Sequence, residues 1–443
     1  MFQSGAFLPQ FTRLAIVNIL SNLMVPLAGL LDMAFLGHLA DIHHLAGVAL
    51  ATVLVNYLYW TFGFLRMGTT GPTAQAVGRD DSHAVLLVGL RHGGLALCIG
   101  LLILVMQQPL GSLGFSLLTA DANVKASGMA YYNALVWGAP ATLLNYVLIG
   151  WFLGRGQGRK VLLLSAVGNG AKVLLDYVLI VQWGWLSMGA GYATAWSQFL
   201  LMAIGLGVVF WEFRFSPIAL DWQELLNPIA LKTAFLLNSE ILVRSFALIS
   251  AFALFTNLSS VLGTQVLTTN AVLLEIVTFA AFFIDGLAFA TESWAGVLHG
   301  RGTTDGLVQL LWASGIASLG LGIGVAIAFL VIPVPLFSLL TNHGDVVNHL
   351  QQYVIWLLPV LGFGSIAYML DGYFLGLTSG RILRNAALIS LLVGFAPMAA
   401  IAFYYRSNHL LWLSLALFMV ARVVTLGTQV PRTLYFSVNR SSD

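Results

Sequence analysis

Of the 443 residues 59% are apolar and only 8% charged, with 45 glycines and 28 phenylalanines; a water-soluble chain carries about a quarter charged residues, so this one reads as an integral membrane protein. A formal net charge of +2, spread over Lys and Arg in separate short loops without interleaved aromatics, excludes a nucleic-acid partner. The single cysteine, Cys98, lies in an apolar run, which excludes a disulfide framework and a thiolate metal site.

At about 20 apolar residues per span, the first half divides into helices at about 11–37, 45–77, 84–107, 126–153, 160–181 and 188–212. No small-residue cleavage site follows the first of these, so it is expected to stay as a span. After the polar connection "EFRFSPIALDWQELLNP" (212–228), six more fall at about 229–256, 263–297, 307–332, 348–376, 383–404 and 409–430. The predicted fold class is an all-α polytopic membrane protein of twelve transmembrane helices. Residues 1–212 form an N-lobe, 213–228 a cytoplasmic linker, and 229–443 a C-lobe with a short tail.

The halves repeat each other. "YVLIGWFLGRGQGR" (146–159) and "YMLDGYFLGLTSGR" (368–381) share eight of fourteen residues at a shift of 222, and "LRMGTTGPTAQAVGR" (65–79) aligns with "LAFATESWAGVLHGR" (287–301) at the same shift. A shift of half the chain points to duplication. An even number of spans per copy predicts two parallel six-helix repeats about an axis along the membrane normal, facing a central cleft. Arg79, Arg155, Arg159, Lys160, Arg214, Arg301, Arg381 and Arg384 fall in the even-numbered loops and linker, with Arg432 and Arg440 in the tail, against Lys125 and Arg406 in the odd loops. Both termini are therefore predicted to be cytoplasmic.

Eight ionisable residues remain at membrane depth: Asp32, Lys172, Asp176, Glu240, Arg244, Glu275, Asp285 and Asp371. A charge at the bilayer centre costs about 2.5–3.5 kcal/mol even on lenient scales, so these form the functional shortlist. On the first helix Asn18, Asn22, Gly29 and Asp32 recur along one face, beside Pro26, which withholds a donor from the Asn22 carbonyl and bends the helix. In the next loop His38, His43 and His44 read as solvated loop histidines rather than a metal site. On the fifth helix Ser165, Asn169, Lys172 and Asp176 share a face, with Lys172 and Asp176 four apart and able to pair. Thr194 adds a hydroxyl on the sixth. Glu240 and Arg244, acid first and four apart, read as a structural pair. On the eighth helix Asp285 is the stronger candidate, with Glu275 about 80° away around the axis. Asp371 stands where the first repeat has Ile149, which leaves function and drift both open. No GxxxxGK[ST], HExxH or GxSxG constellation is present in a context that would support an enzyme.

"DMAFLGHL" after a proline-bearing first helix, "FLGRGQGR" between the fourth and fifth, "LLDYVLI" followed by "MGAGYATAWSQ", and "NAVLLEIVTFAAFFIDGLAFATES" in the eighth resemble the multidrug and toxic compound extrusion (MATE) transporters, in particular the DinF-like branch, over nearly the whole chain. The resemblance implies a MATE/MOP-type fold and a secondary antiporter of a bacterial plasma (inner) membrane, monomeric and without cofactor. It would export organic cations or amphipathic drugs or metabolites in exchange for H⁺ or Na⁺. It carries Asp32, Asp176 and Thr194 over as an N-lobe cation site. Where the family usually has Asn, this chain has Lys172, whose ammonium would take the cation's place and disfavour Na⁺. On that basis Asp32 reads as an exchangeable proton site paired across the lobe with Asp176, its alternative being a carboxylate that only ties neighbouring Asn and Ser side chains. Two further classes stand beside this one. A lipid-linked precursor flippase would use Arg66, Arg244 and Arg422, and an intramembrane enzyme would need acid/base pairs on a common cavity.

Overall fold

The computed structural model describes residues 7–39, 41–118, 120–214, 221–338 and 344–434. Among these the regular elements are helices. The first half contains α1 (Phe7–Gly37), α2 (Ile42–Thr61), α3 (Phe64–Gly78), α4 (Ser82–Val105), α5 (Gln107–Leu117), α6 (Ala122–Val136), α7 (Ala139–Gly154), α8 (Gly158–Asp176) and α9 (Leu186–Phe213). A single turn, α10 (Trp222–Leu225), precedes α11 (Pro228–Leu262), α12 (Thr264–Gly300), α13 (Thr304–Val331), α14 (Pro333–Ser338) and α15 (Gly344–Tyr353). The chain continues through α16 (Leu357–Gly376), α17 (Gly380–Ile389), α18 (Ala396–Tyr405) and α19 (Asn408–Gly427).

Among the described residues eleven helical stretches are long and apolar enough to cross a bilayer, and twelve when α6 and α7, bent by 56° at their junction, count as one. The bend follows from local sequence: Gly138 precedes α7, and Pro140 in its first turn has no N–H to continue a ladder from α6. Each of the twelve predicted spans overlies one of these stretches. Pro26 leaves α1 helical from end to end, so the interruption expected there is a missing donor rather than a broken helix. Large side chains such as Phe210, Trp312 and Val331 are exposed, as a lipid-facing surface requires.

The chain forms two compact units. One comprises the described residues of Met1–Ile19, Ala74–Asp80 and Leu236–Asp443, the other Leu20–Thr73 and Asp81–Phe235. In the second, small residues let helices meet backbone to backbone. A Cβ on Gly47 of α2 would strike Ser127 of α6 at 2.6 Å, and one on Gly191 of α9 would strike Ala134 of α6 at 2.7 Å. The first unit packs α11, α12, α16 and α19 around Phe255, Leu273, Ile276, Trp412 and Phe418. Inside it Asn270 bridges three helices: its amide donates to Ser259 Oγ and to Asn408 Oδ1 at 2.7 Å each, while its own oxygen accepts from Trp412 Nε1 at 2.9 Å. Every such group must be satisfied internally where no water competes.

The repeat read from sequence recurs in packing. Gly150 sits against the Arg66 carbonyl and Gly154 against that of Thr70; at the 222-residue shift, Gly372 sits against Ala288 and Gly376 against Glu292. Within the first unit, Gly78 of α3 abuts the Val297 carbonyl of α12, and Gly300 abuts the Gln75 carbonyl. Gly78 and Gly300 are shift counterparts, as are Gln75 and Val297, so the contact is reciprocal in the manner of a two-fold interface. Gly150→Ala and Gly372→Ala should each lower stability by about 1–3 kcal/mol through overpacking. Gly94→Ala, with nothing within 4 Å of the added carbon, should be neutral or slightly stabilising; thermal melting in detergent gives the ranking.

Candidate functional site

Asp32 reaches the site from α1, while Lys172 and Asp176 come from one face of α8. The Lys172 ammonium forms an ion pair with Asp32 Oδ1 and lies 3.4 Å from Asp176 Oδ2. Asp176 is 0% exposed, and the Lys172 and Asp32 side chains only 12% and 20%. The helix changes pitch immediately after Asp176, continuing as a π-turn over Tyr177–Gln182, a local widening found often at functional sites. Tyr131 of α6, itself buried, lies in the electrostatic field of all three charges.

The three groups form an unequal set. With every group ionised the site holds two negative charges against one positive; adding one proton makes it neutral. A buried ion pair is tolerated only when charge and hydrogen bonding are closely matched, so the ammonium's position between two carboxylates leaves room for one exchangeable proton.

The other predicted residues are placed differently. Thr194 turns its hydroxyl to the Ala190 carbonyl at 3.1 Å and Asn169 its amide to the Ser165 carbonyl at 2.8 Å, each within its own helix. Asn18 is buried and groups with the first unit, whereas half-buried Asn22 and Asp32 group with the second; the polar stripe of α1 is thus divided between units. Glu275 is exposed on α12.

The structure corrects the Glu240–Arg244 pairing. Glu240 faces Arg381 Nε at 3.2 Å and Arg384 at 3.9 Å, while Arg244 forms an ion pair with Asp371. Asp371 also binds Arg422, whose guanidinium lies 5.0 Å from the centre of the Tyr368 ring. Asp285 contributes to the field at Arg244. Spacing of four allows a contact but does not compel it: a fully buried guanidinium gains more from a buried carboxylate on another helix than from one near the water. Asp371, Arg244 and Arg422 correspond at the shift of 222 to Ile149, Asn22 and Leu200, and Asp32, Lys172 and Asp176 to Leu254, Gly394 and Met398. Charges at membrane depth with no counterpart in the other copy are the signal that puts these residues on a shortlist from sequence; Glu240, Glu275 and Asp285 carry the same signal, facing Asn18, Val53 and Gly63 at that shift. Among the described residues no group of three or more His, Cys, Asp or Glu is placed to hold a metal ion.

The MatE family model matches residues 18–178 and 241–401, once in each half. DNA damage-inducible protein F of Escherichia coli (strain K12) is 31% identical over 418 residues, covering 94% of this chain and 90% of its own length. The probable multidrug resistance protein NorM of Thermotoga maritima is 22% identical over 354 residues, covering 76% and 73%. A solved structure of a MOP superfamily transporter from Pyrococcus furiosus superposes with a TM-score of 0.85 at 20% identity, covering 96% of this chain and 95% of that one.

Asp371→Asn takes the shared carboxylate from two buried guanidinium groups and should destabilise the protein by about 3–5 kcal/mol. Glu240→Gln, whose partner Arg381 is 79% exposed, should cost about 1 kcal/mol or less. Melting temperatures in the same detergent test the order.

Proposed function

The chain belongs to the MatE family of multidrug transporters, and from that premise we propose that it is an H⁺-coupled antiporter whose coupling site is Asp32–Lys172–Asp176. As a member of that family it is a transporter and not an enzyme, in a multi-pass arrangement through the membrane. The observation that carries the coupling is the two-to-one charge count around the buried Lys172 ammonium. A cavity of low dielectric penalises the excess negative charge, so one carboxyl gains a proton from the outer side and releases it when rearrangement exposes it to the inner side. Proton and exported compound must favour different states for exchange to occur. Na⁺ is disfavoured because Lys172 already fills the cation's place.

The exported compounds are organic cations or amphipathic molecules, chosen by an apolar and aromatic cleft with few polar anchors. A monomer suffices, since a complete coupling site lies in one chain. The arginines in the even loops support cytoplasmic termini in a bacterial inner membrane, with residues 1–212 and 229–443 as the functional halves and 213–228 as the linker. Of the three arginines a lipid-precursor flippase would use, Arg244 and Arg422 are both engaged by Asp371, which weighs against that reading.

Asp32→Asn keeps size and most hydrogen bonding while removing titration. In everted vesicles it should abolish efflux of a lipophilic cation such as tetraphenylphosphonium under an imposed pH gradient, at normal protein yield, a loss of about 10²-fold or more. Wild-type efflux should be unchanged when Na⁺ is replaced by K⁺. Wild-type rates from Asp32→Asn at normal yield, or a strict Na⁺ requirement, contradict the proposal.

A further inference from the structure

We propose that His44 is the proton-intake residue of the Asp32–Lys172–Asp176 site, joined to it by a polar ladder along the seam of α2, α6 and α9; this rests on the proton-coupled reading above. Of the two adjacent histidines opening α2, His43 behaves as a loop residue: it is partly exposed and holds Asp41 Oδ1 at 2.6 Å. His44 does not. Its Nδ1 lies 2.7 Å from Oγ of Ser187 on α9, a residue 1% exposed, and 3.4 Å from Oγ of Ser127 on α6. The sequence reading of a solvated histidine is corrected here by tertiary packing.

The glycines show why this seam exists. Gly47, one turn beyond His44, brings α2 to within 2.7 Å of the Gly128 nitrogen, measured from an added Cβ, and Gly191, one turn beyond Ser187, brings α9 to 2.5 Å from the Tyr131 carbonyl. Three backbones therefore touch on the side that carries His44, Ser127 and Ser187. One turn inward from Ser127 stands Tyr131, whose hydroxyl has Thr52 of α2 as a hydrogen-bond partner and which feels Lys172, Asp32 and Asp176. Between the serine level and the tyrosine level lies about one helical turn, roughly 5 Å, a height that one or two waters span.

Asp176 is fully buried, so a proton that reaches this carboxyl passes through protein, either by way of Asp32 or along the seam. Imidazole is suited to start that passage because it has two distinct nitrogens, one able to take a proton while the other gives one up. A proton bound at Nε2 is matched by one leaving Nδ1 to a serine oxygen, whose own hydroxyl proton moves on toward Tyr131 and finally to a carboxylate. No electrons are transferred, and the ring resets by exchanging tautomers. The groups facing His44 are Ser187 from α9 and Ser127 from α6. On α2 itself Asp41 is the carboxylate in its field and His43 its neighbour, while Lys125 is turned about 200° from Ser127 around α6.

The test uses the full chain with His44→Gln and, separately, Ser187→Ala, which keeps the imidazole but removes its partner. Tetraphenylphosphonium is the probe. In detergent, protons released on adding it report the equilibrium at the triad, and His44→Gln should match wild type. In proteoliposomes under a pH gradient, both variants should transport about 10-fold more slowly, less than the 10²–10⁴ of a positioned acid or base because water still reaches the seam, and added imidazole should restore the rate of His44→Gln. Wild-type rates in His44→Gln overturn the proposal. If that variant yields no folded protein, wild-type rates in Ser187→Ala overturn it instead. Failure of the wild-type protein to release protons in detergent overturns the coupling reading itself, and this inference with it.

Discussion

Lys172 is shared: its ammonium meets Asp32 from α1 and Asp176 from its own helix, which ties α1 beyond Leu20 to α8 within the second unit. A single buried ion pair would be a closed structural device, self-neutral and indifferent to pH. Two carboxylates on one cation are not self-neutral, and in a medium where charge is penalised the residue of one negative charge is a standing demand for a proton. The other unit meets the same penalty with Asp371 between Arg244 and Arg422 and Asp285 nearby in the field. There two guanidinium groups face two carboxylates, guanidinium groups do not titrate in the physiological range, and the cluster is suited to holding α11, α16 and α19 together rather than to exchanging protons.

Such charge clusters need close helices, and closeness comes from glycine. Gly47 and Gly191 set α2, α6 and α9 against one another, while Gly150, Gly154, Gly372 and Gly376 each bring a backbone carbonyl of a neighbouring helix into contact. In lipid there is no hydrophobic gain from helix association, so such close approach and the hydrogen bonds it permits supply the cohesion. The recurrence of these contacts at the duplication interval, while the charges of the Lys172 and Asp371 clusters have no counterparts there, divides the sequence into a shared scaffold and chemistry particular to each half.

That division explains what could be read beforehand. The twelve spans were legible because hydrophobic length is dictated by the bilayer, and the Lys172–Asp176 contact because both lie on one helix. Asp32 belonged on the shortlist from its cost alone, although which cation it meets depends on α1 lying against α8, which no periodicity encodes. Glu240 and Arg244 satisfy the same i,i+4 rule as Lys172 and Asp176 and yet part company, because each has a better tertiary partner. His44 and His43 are indistinguishable in sequence; only the seam beneath one of them gives it serine partners on two other helices. Thr194, carried over by family resemblance, and Asn169, read from the polar face of the fifth predicted helix, both spend their side chains on their own helices.

The central claim is that this site binds one proton and does so on a carboxyl. Difference infrared spectroscopy of the purified protein, recorded across a pH titration, reports the C=O stretch of a protonated carboxyl directly. The account predicts one such band in wild-type protein within the range where transport operates, lost in Asp32→Asn or Asp176→Asn and retained in Glu275→Gln. A wild-type spectrum in which both carboxylates of the triad stay ionised throughout that range would contradict it.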